Sequence, residues 1–291
     1  MPREQEEKNR IREGTLYLVS TPIGNLADIS ERAKKVLNGV DFIAAEDTRN
    51  TLKLLMIYGI SRPLISYHEH NRRERGAEIA DRLAAGESCA LVTDAGTPAI
   101  SDPGEDLVAL CAERGIPVTA VPGCCAGITA LTLSGLPTGR FCFEGFLPQD
   151  KADRRERLAA LAEETRTMLL HEAPHKLRTT LKDLAVALGD GRRISLCREL
   201  TKLNEEIHRT TLGEAMAHYA AHDPRGEYVL VIEGGEKTAK KEADPLLLLS
   251  PADHVAYYEK QGLSRMDAIK AAAKARGMQK NELYRILHTE N

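Results

Sequence analysis

The sequence predicts two α/β domains followed by a small helical module that reads as helix-turn-helix. Three observations carry this. From residue 15 onward, short β-rich runs alternate with amphipathic stretches. Glycines punctuate the ends of those stretches, and beyond residue 246 the β-rich runs cease. Alternation of this kind builds a largely parallel sheet with helices on both faces, because every parallel step needs a crossover. At 291 residues the chain is long for one domain and ample for two.

The elements follow in order. In the first domain, residues 15–147, "TLYLVS" (15–20), "DFIAAED" (41–47), "PLISY" (63–67), "CALVTD" (89–94), "PVTAVPG" (117–123) and "FCFEGFL" (141–147) read as strands. Between them "ERAKKVLNG", "TLKLLMIYG", "RRERGAEIADRLAAG", "GEDLVALCAERG" and "AGITALTLSG" have helical spacing and end near a glycine suited to a left-handed cap. "LPQDKADRRERLAAL" reads as a linker entering a helix, which puts the domain boundary near Pro148. The second domain, 148–235, offers strands "RTMLLHEA", "RRISLCREL", "EEIHRTT" and "GEYVLVIEG", with helices "KLRTTLKDLAVALG" and "LGEAMAHYAAH", and predicts a mixed sheet. "EKTAKKEADP" is a polar linker, and residues 246–291 are helical throughout. Residues 1–14 read as a charged, flexible leader.

Composition excludes several classes of function. A hydrophobic share of 42% and a charged share of 29% are those of an ordinary globular protein. The net charge of −3 does not advertise a polyanionic partner, so nucleic-acid binding would have to use local patches. No apolar run is long enough to cross a bilayer, and "MPREQEEKNRIRE" is charged where a signal peptide is apolar, which points to the cytoplasm. Six cysteines without metal-ligand spacing read as reduced thiols rather than a disulfide frame or a zinc site.

Function concentrates at the strand ends, where ligands sit in parallel sheets. "LVTDAGTPAISDPG" (91–104) follows a strand and precedes a helix, and its only charges are Asp94 and Asp102. A polyphosphate cradle would need a lysine or amide donors free of neighbouring acids. This loop suits a ligand that is neutral or cationic at its centre, with Gly96 and Ala99 permitting close backbone approach. Alone it would be an elaborate turn. It is accompanied by "STPIGNLADIS" (20–30), "VPGCCAGITAL" (121–131), "FEGFLP" (143–148) and "HEAPHK" (171–176), which together read as the walls of one cleft between two domains.

"LYLVSTPIGNLADIS", "AAEDTR", "LVTDAGTPAISDPG", "VPGCCAGITAL", "FEGFLP" and "HEAPHK", in that order, closely resemble the tetrapyrrole methylase superfamily, and within it the bacterial 16S rRNA (cytidine-2′-O)-methyltransferase branch. The resemblance runs from about Thr15 to Gly235. It implies two α/β domains, S-adenosylmethionine in the cleft between them, a homodimer, and no metal. The implied activity is 2′-O-methylation of a cytidine ribose in 16S rRNA, the decoding-centre C1402, within the 30S subunit. For the cofactor it implies Pro22, Asp94, Gly96, Thr97, Ile100, Cys125, Ala126, Phe146, Glu172 and Pro174. Lysine-free loops agree with that cofactor, because a cationic side chain would repel its sulfonium. Two other functions stay open: a precorrin-type tetrapyrrole methyltransferase, and a non-catalytic ribosome-assembly RNA-binding protein. "STPIGN" lacks the glycine-rich first loop usual among the precorrin relatives, which favours the rRNA branch.

Transfer of a methyl to a ribose hydroxyl needs alignment and removal of a proton. "AAEDTRN" places Glu46, Asp47 and Arg49 at a strand end, where either acid is a candidate to accept the proton or orient the ribose and Arg49 is a candidate to hold the flanking phosphate. The alternative for Asp47 or Thr48 is a helix cap. In "SYHEHNRRER" (66–75), His68, Arg72 and Arg73 are candidates for RNA contact, or else form a charged first helical turn. In the tail, Ser264 and Asp267 open a helix whose apolar face is Ile269, Ala272 and Ala273, and Gly277 ends it. A second helix presents Leu283, Ile286 and Leu287. Arg265, Lys270, Lys274 and Lys280 make this segment basic, and it is either an RNA-contacting surface or a solvated face of a docking bundle.

Overall fold

The computed structural model describes residues 10–236 and 245–289. The chain divides into two compact units between Gly234 and Gly235. The first holds two five-stranded sheets. Strands β1 (Leu16–Val19), β2 (Phe42–Ala45), β3 (Leu64–Ser66), β4 (Cys89–Val92) and β5 (Val118–Val121) form a parallel sheet in the order β3-β2-β4-β1-β5. Its strands read as unbroken apolar runs because both faces are covered. Tyr17, Val19, Ile43, Ala45, Ala90 and Val92 point to one face. There they meet Val36 and Leu37 of helix α1 (Glu31–Gly39) and Leu55 of α2 (Thr48–Ile57). Leu16, Phe42, Ala44, Cys89 and Leu91 point to the other. They meet Ile79 and Leu83 of α3 (Arg72–Ala84) and Leu107 and Cys111 of α4 (Gly104–Glu113). The period-two alternation of strand side chains thus divides one sheet between two cores.

The second sheet comprises β6 (Phe141–Gly145), β7 (Thr167–Glu172), β8 (Arg193–Arg198), β9 (Glu206–Thr211) and β10 (Tyr228–Ile232), ordered β6-β7-β10-β8-β9. Only β6 and β7 run parallel, and the other pairs are antiparallel. Helices α6 (Lys151–Ala162), α7 (Pro174–Leu188) and α8 (Leu212–Ala221) cover one face through Leu161, Leu177, Leu181, Leu184 and Leu212. The other face packs on Ala130 and Leu131 of α5 (Ala126–Ser134), which follows the last strand of the first sheet.

Two expectations need correction. The run 141–147 belongs to the second sheet, with Phe141 paired to Thr167, so the change of domain precedes Phe141 and does not fall near Pro148. The segment read as a linker is the right length for a crossover: α6 joins two parallel strands and buries Leu161. The end of the leader is also anchored. Ile11 packs against the first core, the Arg12 N–H donates to the Tyr17 hydroxyl, and the Gly14 N–H donates to the Gly86 carbonyl. Residues 1–9 and most of the "EKTAKKEADP" linker lie outside the described residues.

The second unit contains α9 (Pro251–Lys260), α10 (Arg265–Ala275) and α11 (Lys280–Thr289). Ser264 caps α10 by accepting from the Asp267 N–H, and Gly277 takes a left-handed φ of 68° after it. Ile269, Ala272, Ala273 and Leu283 are buried as the spacing predicts. The expected helix pair is completed by α9, which contributes Val255 and the buried His254, whose Nδ1 accepts from Arg276 Nε at 3.0 Å. Among the described residues no helix is long and apolar enough to cross a membrane.

Candidate active site between the two sheets

The loops after β1, β4 and β5 are laced together before any ligand is considered. Thr21 and Gly96 exchange both backbone hydrogen bonds, at 2.9 and 3.1 Å. Gly96 has a φ of +88°, and a Cβ there would stand 3.3 Å from Ile23 Cγ2, so the crossing requires glycine. Thr97 Oγ1 donates to the Cys124 carbonyl at 2.9 Å and lies 3.0 Å from Ser20 Oγ. Beyond it, Ala99 and Ser101 adopt left-handed conformations. Asp102 holds that turn by accepting from the N–H groups of Ala99 and Gly104. Burial pushes the Asp102 carboxyl above its ordinary range, against the lowering by those amides.

Three cavities open at these strand ends. The first, about 380 Å³, lies between the sheets. It brings together Gly96, Thr97, Ile100, Cys125, Ala126 and Phe146 of the expected cofactor set, with Glu46 at its wall. No Lys or Arg lines it among the described residues. The second, about 490 Å³, holds the expected Glu172 and Pro174 and shares Ile23, Ala95, Ala126, Phe146 and His171 with the first. Glu172 is buried and accepts from the Ala173 N–H at 2.8 Å and from Thr180 Oγ1. Phe146, 59% exposed, stands where the two cavities meet, edge-on to His171 at 5.6 Å. Burial lowers His171 from its ordinary value, which favours the neutral imidazole.

The remaining two expected cofactor residues lie elsewhere. Pro22 and Asp94 line a third cavity, about 240 Å³, with Asn50, Leu54 and Thr93. Thr93 is common to the first and third. His171, Thr93 and Asn50 had not been singled out. All three stand inside quoted motifs, Asn50 as the last residue of "AAEDTRN"; only the fold shows that Thr93 shares one cavity with His171 and another with Asn50.

The three residues expected to act on the ribose differ in what they have free. Glu46 accepts one hydrogen bond, from Thr93 Oγ1 at 3.0 Å. Asp47 is the N-cap of α2, and its carboxylate accepts from the Arg49 N–H at 2.8 Å, Nε at 3.1 Å and Nη2 at 2.7 Å. Arg49 thereby holds the Asp47 carboxyl down to about 2. The Arg49 side chain is 85% exposed.

Of the expected RNA contacts, Arg72 pairs with Asp106 at 2.7 Å and Glu69 at 3.1 Å. Arg73 is exposed, and His68 is half-buried with its ring 5.8 Å from that of His70. In the second unit Lys270 and Lys274 are exposed on α10, Lys280 opens α11 half-buried, and Arg265 reaches Glu259 only at 3.9 Å.

A parallel sheet facing a mixed sheet across a small-residue cleft defines a two-lobed α/β protein of the tetrapyrrole methylase type. The chain belongs to the Tetrapyrrole (Corrin/Porphyrin) Methylases, whose family model matches residues 15–216. Its sequence is 46% identical over 291 residues, all of both chains, to the ribosomal RNA small subunit methyltransferase I of Halalkalibacterium halodurans. It is likewise 46% identical to the protein of the same name from Synechocystis, over 94% of this chain and 97% of that one. A crystal structure of uroporphyrin-III C-methyltransferase from Thermus thermophilus, complexed with S-adenosyl homocysteine, shares the fold. Its TM-score is 0.52 at 18% identity, over 75% of this chain and 97% of that one.

Proposed function

We propose that this chain methylates the 2′-oxygen of a cytidine ribose in small-subunit rRNA, using S-adenosylmethionine. The observation that carries this is the likeness to rRNA small subunit methyltransferases over the whole chain, which leaves no segment outside the match. The chemistry of the cleft agrees. Bound there, S-adenosylmethionine supplies an electrophilic methyl next to a sulfonium cation. The first cavity offers small side chains, Glu46 and Asp102, with no Lys or Arg to oppose that charge. Gly96, Thr97, Ile100, Cys125 and Ala126 would hold one part of the cofactor, and Glu172 and Pro174 another, with Phe146 between them.

Glu46 is the proton acceptor for the ribose hydroxyl in this reading. Its carboxylate faces the first cavity and is oriented by Thr93, while Asp47 spends its oxygens on the start of α2 and on Arg49. Asp47 is therefore a positioning residue: it fixes Arg49, whose exposed guanidinium suits a phosphate beside the target. The exposed Arg73 and the basic α10–α11 segment would carry further phosphate contacts, with His68 five residues before Arg73 in the chain. We further infer a cytoplasmic homodimer. The deciding experiment supplies the purified protein with radiolabelled S-adenosylmethionine and small ribosomal subunits, then maps the label. Label in a cytidine ribose is expected. Cofactor binding by calorimetry without label in RNA would leave a binding protein on a methylase scaffold.

A further inference from the structure

We propose that the third cavity is the subsite for the target base, and that Asp94 and Asn50 select a base presenting an amino group beside a ring acceptor. The proposal rests on the rRNA reading above and goes further, naming what distinguishes the target nucleotide. Pockets for whole small molecules run to about 300–1,000 Å³. At about 240 Å³ this one suits a fragment such as a single planar heterocycle. Its walls are apolar, from Pro22, Leu26, Leu54 and Ile57. Leu26 and Ile57 are left 44% and 59% exposed, apolar surface that an inserted ring would cover. One edge is polar: Asn50 Nδ2 donates to Asp94 Oδ2 at 3.3 Å, and Asp94 has no ion-pair partner among the described residues.

The hydrogen-bond inventory sets the selectivity. An ionised carboxylate only accepts, and the Asn50 amide keeps a second N–H. Side by side they present an acceptor and a donor. Cytosine offers the complement, its N4 amino group beside N3. Uracil reverses both, setting O4 against the carboxylate and N3–H against the amide. Thr93 forms part of both this cavity and the first, and its hydroxyl bonds to Glu46. A nucleotide flipped out of its stack, base in the third cavity, would pass its ribose over Thr93 and bring it to Glu46 at the edge of the first.

The test compares the wild type with Asp94→Asn, on small-subunit RNA carrying cytidine or uridine at the mapped target. The substitution keeps the shape but lets an amide turn its N–H toward O4. The wild type should prefer cytidine by about 10- to 100-fold, the discrimination of a good base-edge pair, and Asp94→Asn should bring the two near parity with cofactor affinity unchanged. An unaltered preference overturns the proposal. If the variant is inactive on both RNAs, wild-type protein photo-crosslinked to RNA with 5-bromocytidine at the target decides. Crosslinks within residues 22–26, 50–57 or 93–94 sustain the assignment, and crosslinks elsewhere overturn it. Failure of the wild type to methylate any RNA would instead refute the underlying reading, a separate result.

Discussion

Glu46→Gln tests most directly how the cleft removes a proton. Gln retains length and an oxygen, so the Thr93 hydroxyl can still donate as it does to the carboxylate at 3.0 Å, and strand β2 is untouched. The negative charge is lost, and the basicity with it. A positioned general base contributes about 10²–10⁴-fold, or roughly 2.7–5.5 kcal/mol of barrier. The adjacent residue in sequence, Asp47, cannot make up the loss: three hydrogen bonds from Arg49 hold it at about 2, ionised but a poor proton acceptor. The rate should therefore fall by at least 100-fold in single-turnover methylation of small subunits at saturating cofactor, with cofactor affinity by calorimetry within about twofold of wild type. A single-turnover rate above one tenth of wild type would refute the assignment and leave Glu46 as a ribose contact at most.

Gly96→Ala should cost about 1–2 kcal/mol for a left-handed alanine and lower the melting temperature by about 2–8 °C. Cofactor affinity should drop with it, because the new Cβ presses Ile23, a wall of two cavities. Unchanged melting and affinity would show that the Thr21–Gly96 crossing adapts freely. For Asp47 the sign runs one way: a depressed carboxyl adds stability that is complete above its ordinary value of 3.8 and is lost as pH falls toward 2. An NMR titration should place it near 2 in the wild type and move it upward in Arg49→Ala, and no movement would remove Arg49 as the cause. Cutting the chain after Gly235 should leave cofactor affinity intact while activity on small subunits declines, with the deficit narrowing as salt rises, because fewer phosphate contacts release fewer counterions. Full activity of the folded truncation at physiological salt would show that α10 and α11 only pack.

Much of the first sheet was legible because both its faces are buried. Runs such as "CALV" admit few readings when helical stretches flank them, and the glycines at 59, 86, 115 and 135 do take positive φ. Residues 141–147 misled because β6 follows α5, the helix after the first sheet's last strand, with only a short connection, and strand partnership is not encoded in the strand itself. Its partner, β7, lies beyond a whole helix. At the site, loop composition indicated a ligand without phosphate but could not apportion residues among cavities. Pro22 and Asp94 stand in the same motifs as Ile23 and Gly96, yet the crossing of the two loops sends neighbouring side chains to different chambers. Asp47 illustrates a similar limit: capping and catalysis ask for the same residue type, and only the three bonds to Arg49 separate them.

The order β3-β2-β4-β1-β5 has a consequence for how the protein is made. Strand β1 lies inside the sheet, yet both its neighbours, β4 and β5, come later in the chain. At ribosomal speeds of about 5–20 residues per second, β1 precedes β4 by roughly 4–15 s. Strands β2 and β3 can pair with each other in that interval, but "LYLV" has no partner to pair with. The nascent chain thus carries an unsatisfied apolar strand while the first half of the sheet waits for residue 89, and a chaperone that shields it would raise the yield of folded protein.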